Sequence, residues 1–179
     1  MKIFRFRVLI DSEDGEVFRD IDIKDNQTLE DLHNSIQLAF EFDNSQMASF
    51  YLSDEEWVKG DEITLFDMNE ASSEEELAVM ENVKLAELVE EEKLKMIYIF
   101  DFMNIWTFYV DLSQVLTGSD KVEYPSIVNF VGEAPQQHAS EEGAGDDGIL
   151  SSIQKNEPFL GENPYTDDSF GDYEDYNEF

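Results

Sequence analysis

Thr28-Leu29-Glu30-Asp31-Leu32-His33-Asn34-Ser35-Ile36-Gln37-Leu38-Ala39-Phe40 is the stretch whose reading decides the fold. Thr28 followed by Asp31 fits a helix start: a hydroxyl caps an orphan amide, and a carboxylate sits in the first turn. Leu29, Leu32, Ile36, Ala39 and Phe40 then recur at helical spacing on one face. An amphipathic helix of this kind needs an apolar surface to pack on, and the flanking sequence supplies strands.

Upstream, Ile3 to Ile10 alternates, with Phe4, Phe6, Val8 and Ile10 on one face and Arg5 and Arg7 on the other, as in a half-buried strand. Asp11-Ser12-Glu13-Asp14-Gly15 carries turn chemistry. Val17 to Ile23 alternates again, so residues 2–23 read as a β-hairpin, and Lys24 to Gln27 as the loop into the helix. Downstream, Asp43-Asn44-Ser45 breaks the helix and Met47 to Leu52 reads as a third strand. Residues 53–75 read mostly as loop, with a short strand at Ile63-Thr64-Leu65.

Ser73 with Glu76 repeats the capping pattern, and Leu77 to Glu92 is acidic and helix-prone, with an apolar strip of Val83, Leu85, Leu88 and Val89. Met96 to Phe102 and Trp106 to Leu112 form a second hairpin around Met103-Asn104-Ile105, apolar enough to be central in a sheet. Lys121 to Val131 adds an edge segment interrupted at Pro125. The expected architecture is α+β: a mixed, mostly antiparallel sheet of two hairpins plus an extra strand, packed against one or two helices. The expected domain spans 1–132. From 133 to 179 the chain reads as an acidic, disordered tail. Its Gly143-Ala144-Gly145-Asp146-Asp147-Gly148 run has no periodicity with which to offset its ordering entropy.

Of 179 residues, 43 are acidic and 11 basic, for a net charge of −32. Such a surface repels nucleic-acid phosphates and anionic lipid, which are bound by Lys and Arg displacing counterions. Direct nucleic-acid or membrane binding is therefore not expected; a protein partner, in particular a basic one, fits. The chain has no cysteine, which excludes disulfides and thiolate-held metals within it. The alternating start, Met1 to Arg7, reads as a strand rather than a signal-peptide core. No apolar run approaches the roughly 20 residues that span a bilayer, so a cytoplasmic location is expected.

Candidate sites are few. A calcium loop needs acids at its first, third and fifth positions before a glycine at the sixth. Counting back from Gly15 puts Ile10 first, and from Gly171 puts Thr166 first, so both fail. His33 and His138 show no ligand spacing. Asp101, between Phe100 and Phe102, has two readings: a carboxylate with a raised pKa serving acid–base chemistry, or a residue facing solvent or capping a turn near Asn104. The second is preferred, because acid–base work needs a positioned partner. There is no phosphate loop, nucleophile elbow or zincin helix. Phe170, Tyr173, Tyr176 and Phe179 recur every third residue among carboxylates, as a recognition segment or a solubilising tail. Asp101 and Trp106 with these four are the candidate interaction residues. No catalytic residue, metal ligand or cofactor is assigned.

The helix Thr28 to Phe40, followed by Phe50 and by Phe100-Asp101-Phe102…Trp106, resembles the plasmid pRiA4b ORF-3-like family, whose members are often labelled insertion-element passenger proteins. The resemblance covers roughly residues 1–135 and implies an α+β domain without an established activity. Where such proteins commonly carry a His-x-His pair after the helix, this chain has Gln46 and Ala48. Their signature Tyr-Asp-Phe-Gly-Asp-x-Trp-x-His stands here as Phe100-Asp101-Phe102-Met103-Asn104-Ile105-Trp106-Thr107-Phe108. Their Cys-Pro-Pro-Glu-Asp segment is degraded here, with Gly132-Glu133-Ala134-Pro135-Gln136 standing near it. Fold-determining residues survive while polar ones are replaced, which argues for a non-enzymatic interaction or structural domain. The alternatives are a metal-dependent or carboxylate-based enzyme around Asp101, and an acidic nucleic-acid mimic that binds a basic protein. An apolar surface patch near Trp57 or the terminal aromatics would favour the first reading.

Overall fold

The computed structural model describes residues 1–10, 15–67 and 78–138. The first alternating run forms β1 (Lys2–Ile10) and pairs antiparallel with β2 (Val17–Lys24), Arg7 opposite Asp20 and Arg5 opposite Asp22. After helix α1 (Leu29–Ala39) the chain continues through β3 (Ala48–Ser53), β4 (Lys59–Thr64), β5 (Ala78–Val79), a short helix α2 (Leu85–Leu88), β6 (Lys95–Phe100), β7 (Trp106–Thr117) and β8 (Ser126–Val131). Among the described residues, eight strands join one sheet in the order β5-β4-β3-β6-β7-β1-β2-β8. Every pairing is antiparallel except β4 with β5.

The two hairpins lie side by side in the middle of the sheet because their strands are the most apolar, and β8 closes one edge beyond Pro125. The sheet is larger than two hairpins and one strand: β4 begins four residues before Ile63, and β5 extends it.

Helix α1 starts as its sequence predicts. Thr28 accepts from the Asp31 amide at 3.3 Å, and Asp31 accepts from the Thr28 amide at 3.0 Å, a reciprocal cap. Leu29, Leu32, Ile36 and Ala39 are buried on one face of the sheet, against Phe4, Phe6, Val8, Ile21, Phe50 and Tyr98 in a single core. The final turn carries no basic residue of its own. Arg19 of β2 serves it instead: its guanidinium is buried and donates to the carbonyls of Ala39, Phe18 and Val131. A cation near the C-terminal carbonyls complements the helix dipole.

The helix expected over Leu77 to Glu92 is a correction. Among the described residues that stretch contains β5, a 3-10 turn at Met80–Asn82 and the single turn of α2. Its backbone is bonded elsewhere: Leu85 and Ala86 donate to Gln27 and Asp25, and Val83 accepts from Leu29. These bonds fasten it across the loop before α1, and tertiary pairing overrides local propensity. The Ser73–Glu76 pattern lies outside the described residues, as does everything from Ala139 onward, including Phe170, Tyr173, Tyr176 and Phe179.

Candidate interaction surface

Three connections meet at one end of the sheet: α1 to β3, the end of β4, and the β6–β7 turn. The Asp101 amide donates to Met47 O at 2.9 Å, and the Leu65 amide to Ala48 O at 3.0 Å. The β6–β7 turn is built on Asp101. Its carboxylate accepts from the amides of Met103 (3.0 Å) and Asn104 (3.3 Å) and from the Asn104 side chain (2.6 Å). Its carbonyl accepts from the Ile105 amide at 2.6 Å. Asp101 therefore caps a turn, the reading preferred from sequence. The raised-pKa alternative is reversed: the Asn104 amide, then the Met103 and Asn104 backbone amides, hold the carboxyl below its ordinary value.

The turn forces φ to +57° at Asp101 and +54° at Ile105. Asp tolerates that region, but a β-branched residue there is strained. With the backbone so fixed, Phe102, Met103 and Ile105 project into solvent, 45%, 89% and 61% exposed.

Beneath this tip the interior is aromatic. Phe42 meets Phe100, Trp106 and Phe108, and Phe108 also meets Phe40 and Tyr98, with centroids 4.9–5.8 Å apart. Trp106 is half-buried, and its indole N–H is buried with no acceptor among the described residues. Ala48 is fully buried, and Ala134 packs against the same core.

One polar cluster is set into this interior. Asn44 donates its amide group to Asn34, which leaves Asn44 Oδ1 facing His33 Nε2 at 2.6 Å. That contact requires a proton on Nε2, so His33 Nδ1 accepts from the Tyr98 hydroxyl at 2.7 Å. The hydroxyl in turn accepts from Gln37 Nε2, and Gln37 Oε1 accepts from the Asn44 amide, which closes a ring of donors. Burial pushes the His33 imidazole below its ordinary pKa of 6.5 and pushes the Tyr98 phenol up. His33 is thus a structural histidine, as its isolation in the sequence suggests. His138 is exposed, with Nε2 2.9 Å from Asp43 Oδ2. Hydrogen bonds from Ser45, His138 and Gln137 hold the Asp43 carboxyl well below the usual range.

The opposite face of the sheet is differently made. Arg5 and Arg7 grip Asp22 and Asp20 bidentately. Beside them Leu9, Ile97, Tyr109 and Trp57 border an open groove of about 870 Å³. Trp57 is half-buried at φ +62°, stands edge-on to Tyr109 at 5.1 Å and carries Lys95 above its ring at 4.8 Å. The region around Trp57 is thus a lined groove.

A family profile described as plasmid pRiA4b ORF-3-like protein matches residues 2–145. The chain belongs to the plasmid pRiA4b ORF-3-like family. A solved protein of unknown function from Methanosarcina mazei Go1 shares the fold, with a TM-score of 0.64 at 21% identity over 86% of this chain and 82% of that one. No curated protein matches the chain.

Several positions where the sequence resemblance leads one to expect polar residues lie at the end of the sheet just described. Gln46 is exposed, whereas Ala48 and Phe108 are buried in the aromatic core. Met103 and Asn104 form the tip, and Ala134 closes the core's edge. Of the candidate residues, Asp101 and Trp106 come together here; the four terminal aromatics lie outside the described residues. Sequence reasoning missed the tip itself, Phe102, Met103 and Ile105. Its signal was an apolar turn between two strands where hairpin chemistry favours Gly, Asn or Asp.

Proposed function

We propose that this chain is a non-enzymatic interaction domain that engages a protein partner. The observation that supports this most is the packing of Phe108 against Phe40, Phe42 and Tyr98. The family resemblance leads one to expect a histidine at that position. Hydrocarbon there leaves no ligand or proton shuttle, while the frame around it stays intact. Asp101, the carboxylate on which an enzyme reading would lean, has both oxygens engaged by its own turn. The net charge of −32 favours a basic partner, since complementary fields speed encounter and exclude wrong partners. We place the domain in the cytoplasm on the sequence argument alone.

The test is affinity capture from host lysate with the full chain, followed by reconstitution with the purified partner. A saturable binary complex that forms equally well in chelator supports the reading. Metal-dependent turnover of a substrate, or no partner at all, would overturn it.

A further inference from the structure

We propose that the Asp101 turn is the docking point, and that it inserts into an apolar pocket rimmed by lysine or arginine on a protein partner; this rests on the interaction reading above. Three large apolar side chains, Phe102, Met103 and Ile105, stand exposed within four consecutive residues, and Phe66 adds a fourth at the adjoining end of β4. Single exposed apolar residues are ordinary, but a contiguous group marks an interaction surface.

The group is also rigid. Asp101 ties the turn through three acceptor bonds, its amide ties it to β3, and two residues are held at positive φ. A knob ordered before it binds loses little freedom on docking, which is how small surfaces become strong anchors. Strain at a β-branched residue that stays mostly exposed is not offset by deep burial and fits a functional constraint.

Charge selects the partner. Glu41 and Asp43 lie on the neighbouring connection, with His138 paired to Asp43. The surroundings are acidic, as is the chain, so anionic lipid and a second copy are repelled. A pocket that is apolar at its centre and basic at its rim satisfies both features. The other exposed apolar group, on β8, is blunted as a docking edge, because its register with β2 skips at Val128.

The test uses the full chain with Trp57→Phe, so that Trp106, next to Ile105, is the only indole reporter. The probe is an amphipathic leucine–lysine peptide of about 15 residues, long enough for a helix. A control peptide keeps the lysines and replaces leucine by glutamine. The expected result is a saturable change in Trp106 emission with the leucine peptide and none with the control. Met103→Asp with Ile105→Asp should weaken binding by about tenfold or more, while Leu38→Asp, an exposed change elsewhere, should leave it intact. Failure of the leucine peptide to bind, or equal affinity for the double variant, would overturn the proposal. Capture of the lysate partner by the same double variant separates the cases: undiminished capture refutes this docking point and spares the interaction reading, whereas a blank from the unaltered chain refutes both.

Discussion

Replacing Tyr98 by phenylalanine isolates the buried hydrogen-bond ring from the packing around it. Tyr98 is fully buried, and its hydroxyl both donates to His33 and accepts from Gln37. Removing that oxygen keeps the ring contacts with Phe50 and Phe108 but strands an imidazole nitrogen and an amide donor in the interior. Each of the two orphaned groups costs about 1–3 kcal/mol, so the loss should come to about 2–6 kcal/mol. Urea denaturation followed by far-UV circular dichroism measures it, with an unchanged slope showing that the unfolded reference has not moved. A loss under about 0.5 kcal/mol would show that the ring closes no better than water does, and would refute the reasoning.

The ring also fixes a pH dependence. Burial holds folded His33 below its ordinary 6.5, so in acid the unfolded chain takes up the proton first. Stability is then unaffected above about 6.5 and falls as pH drops below it, by at most about 1.4 kcal/mol per unit, until the folded imidazole also protonates.

Other substitutions have equally definite outcomes. Ile105→Gly should raise stability by about 1 kcal/mol in the same urea assay, since it relieves a strained φ and sacrifices little burial. Phe108→Ala should cost about 3–5 kcal/mol, because the side chain is fully buried between aromatic neighbours. Arg19→Leu should cost about 2–4 kcal/mol, by leaving carbonyls of α1, β2 and β8 without this donor; thermal melts would show it.

The frame of the molecule was legible from short-range pattern. Thr28 and Asp31 announced the start of α1, and the alternation in β1 separated Phe4, Phe6 and Val8 from Arg5 and Arg7 before any partner strand was known. What was not legible depends on long-range pairing. The stretch after Ala78 looks helical because leucine and glutamate dominate it, yet its amides go to Asp25 and Gln27. The candidate surface was half visible. Asp101 stood out as a carboxylate among aromatics and its capping role could be argued from Asn104. The exposure of Met103 and Ile105 was signalled only by apolar residues at a hairpin turn, and which side chains the backbone turns outward depends on the positive φ values at Asp101 and Ile105.

Amide hydrogen exchange of the full chain, alone and with its captured partner, tests the central claim most directly. The account predicts added protection at residues 101–105, with the interior of β1, β6 and β7 unchanged. Protection centred on the open groove around Trp57 and Tyr109, with the Asp101 turn exchanging as before, would contradict it.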